Sequence, residues 1–423
     1  MGCLVSTLDH GETSATVIDS GASKSGSSSH NKSSFQTAGT SQTSDKFVSA
    51  DSSSTNLSAN DSASASAVPN PANLVPSSLR QFTFAGLESA TSKFHRRNCI
   101  GEGGFGIVYR GVLQPGPNGL GAEPTEVAIK RMREASDRYT EEFLKEVIVL
   151  GRLSHPHLVR LHGYCMERDE ALLVYEFMTG GCLHRALSDS ASGELFFSWN
   201  MRLKVAMQVA EALAYMHGLN FIHRDLKAAN VLLSPDYDAK LTDFGMVRVG
   251  PEGQLESIVS TRIMGTEGYI DPTYMETGHL GAKSDVYSFG VLLLELVTGR
   301  RVVDEGSKMV TECRSRLSDL SLKAAEYVDP HLGNQYPELG ARTLATLARH
   351  CVAEARSSRP DIGSVLEKLK LLVKACANAE AKAAAKAAVL EAGESGSVER
   401  GDTEVNGGEE GSSAAVAPVL VDG

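Results

Sequence analysis

Large apolar residues are nearly absent from residues 1 to 80, crowd residues 82 to 374, and thin out behind Ala375. The first stretch is mostly Ser, Thr, Ala, Asn and Gly, which bury too little surface to offset chain entropy, so it is expected to be disordered. In the central zone Ile107, Val108, Tyr109 and Val112 follow three glycines and predict a strand. Residues 127 to 130, VAIK, alternate: Val127 and Ile129 fall on one face of a second strand, Ala128 and Lys130 on the other. The segment between these strands, QPGPNGLGAEP, predicts a loop. The stretch YTEEFLKEVIVLGRL spaces Phe143, Val147 and Leu150 along one helical stripe, and Glu146 lies inside that stripe. The longest apolar run, FGVLLLELV at 289 to 297, falls short of the roughly 20 residues that cross a bilayer. From Ala375 an Ala/Lys/Glu stretch predicts a fraying helix, followed by Gly, Glu and Ser and renewed disorder. No internal repeat is visible.

With 423 residues and 42% hydrophobic content the chain can hold two or three domains with buried cores. The formal charge of −11 is uneven, with eight acids against one base from Glu391 to Gly423. Neither a nucleic-acid footprint nor a polybasic membrane patch is present, so no nucleic-acid partner is expected. The start, MGCLVSTLDHGETS, lacks the basic and apolar regions of a secretory signal, which predicts synthesis and residence in the cytosol. Seven cysteines lie scattered without CxxC spacing, against a zinc site or a disulfide framework.

Candidate chemistry begins at IGEGGFGIVYRGVL, residues 100 to 113, where Gly101, Gly103 and Gly106 form a GxGxxG. Strand-forming flanks make it a hairpin tip, either one lying over phosphates or an ordinary Gly-rich turn. Lys130, ending a buried strand, needs a counter-charge, and Glu146 is the candidate. Then come FIHRDLKAANVLL at 221 to 233 and KLTDFGMVR at 240 to 248. In this order the Gly-rich loop, VAIK, the helix glutamate, HRDLKxxN and DFG resemble the signature set of the eukaryotic protein kinases, over about residues 94 to 372. The segments EGGFGIVYRG, LSHPHLVRLHGYC, LLVYEFM and KSDVYSFGVLLLELVTGR are similar to the plant receptor-like kinases, and with no membrane span the chain resembles a receptor-like cytoplasmic kinase.

That resemblance implies an α+β, bilobal kinase fold, with a small β-rich N-lobe at about 94–177 and a larger, mainly helical C-lobe at about 178–374. The domain would span 81–376, between a disordered tether at 1–80 and an Ala-rich, then acidic, disordered tail at 377–423. It implies ATP and Mg²⁺ as cofactors and Ser/Thr of protein substrates as acceptors. Lys130 would hold the α and β phosphates and Glu146 would hold Lys130, while Asp225 would orient and deprotonate the attacking hydroxyl. Lys227 would reach the transferring phosphate, and Asn230 and Asp243 would bind the metal. Ile100, Gly101, Gly103, Gly106, Val108 and Ala128 would cover the nucleotide. Leu232 would lie below it, Tyr175 behind it, and Glu176 and Met178 would offer backbone groups. Thr266, in GTEGY, matches the partner threonine of the Ser/Thr-specific branch.

Regulation is implied as well. Arg224, beside Asp225, would bind a phosphorylated residue of the activation segment, which runs from Asp243 to about Tyr274 and contains Ser257, Ser260, Thr261 and Thr266; Ser260 and Thr261 are the candidates. An upstream receptor-like kinase would be the partner. MGCLVS fits the myristoylation pattern at Gly2, and Cys3 offers a palmitoylation site, which together would anchor the chain to the cytoplasmic face of the plasma membrane. Thr273 stands where the family carries a glutamate paired with an arginine, here Arg359. Arg359 is therefore expected to lack its usual partner, with Glu276 or Glu267 as substitutes. A weakly catalytic, ATP-binding scaffold is the alternative to an active kinase.

Overall fold

The computed structural model describes residues 79–395 apart from 104–105, 117–118, 134–136, 168, 251–258 and 320. Its smaller lobe is a six-stranded sheet ordered β1-β5-β6-β4-β3-β2. The strands are β1 (Arg80–Gln81), β2 (Cys99–Gly103), β3 (Gly106–Leu113), β4 (Thr125–Met132), β5 (Leu161–Glu167) and β6 (Glu170–Glu176). All neighbours pair antiparallel except β1, which runs parallel to β5.

The alternation in VAIK divides the sheet's two faces. Ala128 joins Val108 and Tyr175 in the main core, while Val127 and Ile129 pack into a separate outer cluster with Phe82, Leu87, Leu113, Cys165, Leu172 and Val174. Residues 79–94 cover that outer face. Phe82 donates its amide to the Tyr164 carbonyl at 2.8 Å. Helix α1 (Phe84–Ala90) starts at Thr83, whose hydroxyl accepts from the Gly86 amide at 3.2 Å. On the inner face lies α2 (Asp137–Leu150), with Phe143, Glu146, Val147 and Leu150 buried as its stripe predicts.

The larger lobe is mainly helical, built from α3 (Leu183–Ser192), α4 (Trp199–Gly218), α5 (Pro272–Thr277), α6 (Ala282–Thr298), α7 (Val302–Glu305), α8 (Ser307–Arg316), α9 (Glu338–Cys351) and α10 (Ile362–Ser395). Helix α6 is buried on every side from Ser284 to Thr298, as an apolar helix without a polar face must be, and α4 and α9 pack on it. Three short ladders complete the lobe: β7 (Phe221–Ile222) with β10 (Arg248–Val249), β8 (Val231–Leu233) with β9 (Ala239–Leu241), and β11 (Val259–Ser260) with β12 (His279–Leu280).

This is the bilobal α+β arrangement that the motifs imply. Helix α10 runs 34 residues and crosses position 376, where the sequence places the domain's end. Of the tails expected to be disordered, residues 1–78 and 396–423 lie outside the described ones, whereas residues 377–395 continue α10 as helix. Among the described residues no helix is long and apolar enough to cross a membrane, and Cys99, Cys165, Cys182, Cys313, Cys351 and Cys376 form no disulfide.

Candidate active site

The three glycines sit on a β-hairpin, Gly101 and Gly103 on β2 and Gly106 opening β3, with Gly103 paired to Gly106. At Gly106 φ is +154°, and a Cβ would stand 2.3 Å from the Arg131 carbonyl oxygen, so only glycine fits. At Gly103 a Cβ would meet nothing within 4 Å. That space answers no packing demand. Below the hairpin, Lys130 Nζ lies 2.9 Å from Glu146 Oε2 and 3.4 Å from Asp243 Oδ1, all three side chains nearly dry. Burial alone would lower the Lys130 pKa, but the two carboxylates outweigh it and hold the ammonium charged. Tyr175 is fully buried, and burial together with the Glu146 charge raises its phenol well above the ordinary value. Ile100, Val108, Ala128, Tyr175 and Leu232 share one apolar cluster, and Met178 follows β6 half-buried. Glu176 ends β6, and its carboxylate is engaged by Lys240, a contact that the sequence does not announce.

The second group surrounds Asp225. Thr266 donates its hydroxyl to Asp225 Oδ1 at 2.6 Å and accepts from Lys227 Nζ at 2.7 Å, while Lys227 also reaches Asp225 Oδ2 at 2.8 Å. The three side chains close a ring. Asn230 Nδ2 donates to the Asp225 carbonyl at 2.8 Å and to its carboxylate at 3.1 Å. The amide is thereby oriented, and its Oδ1 is buried without a hydrogen-bond partner. The Thr242 amide donates to the Asn230 carbonyl at 3.0 Å, which ties the residue before Asp243 to the Asn230 backbone. An unpaired amide oxygen and a carboxylate are donors that suit a hard cation, which keeps its remaining positions for phosphate and water, so the donor types fit Mg²⁺. Arg224 and Asp243 both have positive φ, 71° and 68°. Such backbone persists only where its surroundings fix it. Asp285 does so at the first, accepting from the His223 amide at 2.8 Å, the Arg224 amide at 2.9 Å and the His217 ring at 2.8 Å. Burial would raise the Asp285 pKa, but these bonds hold it below the ordinary value.

The strut at Thr273 departs from expectation. Arg359 is fully buried and does not lack a partner: its Nη2 lies 2.7 Å from Asp271 Oδ1, with the Asp271 side chain equally dry. Glu276 and Glu267 are exposed and do not take this place. Two residues before Thr273, Asp271 reaches the arginine because it precedes α5 and accepts the Thr273 amide at 3.0 Å, turning its carboxylate inward. Thr273 itself donates to the Glu354 carbonyl at 3.3 Å. Arg224 is likewise occupied, donating to the Arg262 carbonyl at 2.8 Å and the Tyr274 hydroxyl at 2.9 Å. Ser260 is exposed on β11, and the Thr261 amide is held by the Gly278 carbonyl at 3.0 Å. Gly2, Cys3 and Ser257 lie outside the described residues.

Sequence reasoning passed over Glu295. This fully buried acid of α6 accepts the Tyr269 hydroxyl at 2.6 Å and the Val302 amide at 2.9 Å, beneath the loop that carries Thr266. Burial pushes its pKa up to about 7 against those two bonds. A signal was present: Glu295 is the single charge inside FGVLLLELV.

Comparison with known proteins agrees with this geometry. The sequence model of the family "Protein tyrosine and serine/threonine kinase" matches residues 94–369. An "EPD1-interacting receptor-like cytoplasmic serine/threonine-protein kinase" of Nicotiana benthamiana is 44% identical over 70% of this chain and 65% of its own length. The serine/threonine-protein kinase PBL13 of Arabidopsis thaliana is 46% identical over 70% of this chain and 60% of its own. Receptor-like cytoplasmic kinase 176 of Oryza sativa subsp. japonica is 41% identical over 71% and 78%. The chain thus spans less than two thirds of the first two relatives. On the match to the family and to these relatives, the chain belongs to the protein kinases, in the group of the plant receptor-like cytoplasmic kinases.

Proposed function

We propose that the chain is an active serine/threonine protein kinase, which transfers the γ-phosphoryl group of ATP to protein hydroxyls. The ring of Asp225, Lys227 and Thr266 carries this reading. Asp225 has its carboxylate fixed from two sides, so it can align an acceptor hydroxyl and take its proton as the new O–P bond forms and the bond to ADP breaks. Lys227 stands where negative charge builds on the transferring group. Lys130, kept charged by Glu146, holds the phosphates behind it. Asn230 and Asp243 would hold Mg²⁺, which supplies charge neutralisation across the phosphates. Thr266, bonded to both catalytic side chains from the activation segment, supports Ser/Thr as acceptors.

The pairing of Arg359 with Asp271 weighs against the scaffold alternative, because the activation segment has its buried anchor. In this reading Ser260 and Thr261 receive phosphate from an upstream receptor kinase. Acylation at Gly2 and Cys3 ties the chain to the cytoplasmic face of the plasma membrane, and residues 11 to 80 act as its tether.

One set of assays tests this. Full-length protein with Mg-ATP should label Ser or Thr of itself and of a generic basic protein, and Asp225→Asn should abolish labelling while leaving nucleotide binding. Gly2→Ala should move the chain from membrane to soluble fractions of plant cells. Binding without transfer by the unaltered protein would return the scaffold reading.

A further inference from the structure

Glu176 and Lys240 link the strands that form the roof and the floor of the nucleotide slot. Glu176 is the last residue of β6, opposite Val127 of β4, and the preceding pair in that register is Tyr175 with Ala128, so its backbone belongs to the slot's roof. Lys240 lies on β9 opposite Leu232 of β8, the slot's floor. Lys240 Nζ lies 2.7 and 2.8 Å from the two oxygens of Glu176. The same carboxylate accepts the Arg160 amide at 2.7 Å, and the Glu176 amide donates to the Arg160 carbonyl at 3.0 Å. The Val159 amide donates to the Leu241 carbonyl at 2.8 Å, so the chain leading to Arg160 is already fastened to β9. Roof, linker and floor therefore share one charged knot, away from the Lys130 and Asp225 groups.

We propose that Lys240 is a positioning residue, which through Glu176 sets the spacing between the roof and floor that grip the adenine. The proposal rests on the kinase reading of the slot. Both side chains are 23% exposed. A pair so placed is partly screened by water, and removing Lys240 does not strand a charge in the core. Its loss loosens the slot without unfolding the lobe. The effect falls on nucleotide affinity, since Lys240 reaches none of Asp225, Lys227, Asn230 or Asp243.

The probe is adenosine, because it has the ring and no phosphate for a lysine to attract. Calorimetric titration of the full chain with adenosine and with Mg-ATP is compared for the unaltered protein, Lys240→Met, Lys240→Gln and Lys240→Arg, with folding checked by thermal melting. Lys240→Met and Lys240→Gln should weaken both ligands alike, by about two- to fivefold. They should raise the KM for ATP by the same factor with little change in kcat. Lys240→Arg, which restores the pair, should return both affinities. Weakening of Mg-ATP alone would make Lys240 a phosphate-attracting charge and overturn the proposal, as would unchanged affinity for both. If the unaltered protein binds adenosine but transfers no phosphate, the kinase reading fails while the slot proposal is still decided. If it binds no adenosine yet transfers phosphate from Mg-ATP, the slot proposal falls and the kinase reading stands.

Discussion

Asp271 has two oxygens and four donors: the Thr273 amide at 3.0 Å, the Ser284 hydroxyl at 2.9 Å, Arg356 at 3.1 Å and Arg359 at 2.7 Å. That uses the acceptor sites a carboxylate possesses. Arg359 donates also to the carbonyls of Ala353, Lys283 and Glu354. A glutamate at 273 would meet an Arg359 already paired with Asp271 and would bring a second negative charge beside that carboxylate. Thr273→Glu should therefore leave the melting temperature unchanged or lower it. Asp271→Ala, stranding a dry guanidinium, should cost about 3 to 5 kcal/mol in a denaturant titration. A gain from Thr273→Glu, or no cost from Asp271→Ala, would break this account. Glu295 makes the opposite case, a buried acid without a cation bonded to it. Its raised folded-state pKa favours the neutral form, so its contribution to stability is fully present below the unfolded value of about 4.5 and lost as pH rises through about 7. Glu295→Gln keeps an acceptor and removes the titration. Its melting temperature relative to the unaltered protein should rise between about pH 5 and about pH 8, and a flat difference would refute the assignment. At this scale the candidate catalytic residues can be named from the sequence because their motif spacing is local. The partners of Arg359 and Tyr269 cannot, because they come from residues 88 and 26 positions away.

Among elements, the least legible is the clasp of β1 and α1 over the outer face of the sheet. Its helix has seven residues, too few for periodicity to stand out. The family match begins only at residue 94, just past it. Yet Phe82 and Leu87 are 1% and 0% exposed, and without them Val127, Ile129, Leu172 and Val174 would face water. The faces of VAIK were readable; what covers one of them was not. Phe82→Ala should destabilise by about 3 to 5 kcal/mol. A chain begun at residue 95 should unfold at markedly lower denaturant than one begun at residue 79. Equal midpoints would show the clasp to be dispensable. By contrast, α2 declared both its stripe and its inward glutamate, since a helix repeats often enough to expose a pattern.

On the scale of the whole molecule, the two lobes were readable because ordered motifs constrain both, whereas the extent of the last helix was not. Leu366, Leu369, Leu372 and Cys376 tie α10 to the larger lobe. From Ala377 onward its described side chains are exposed. The 34 residues of α10 are about 50 Å long, and the part beyond Cys376 accounts for on the order of 30 Å. Alanine, lysine and glutamate in that part favour a semi-rigid rod. The rod is a ruler: a dye or a docking tag joined at Ser395 would be held at a set distance and bearing from the kinase body, with little freedom to fold back on it.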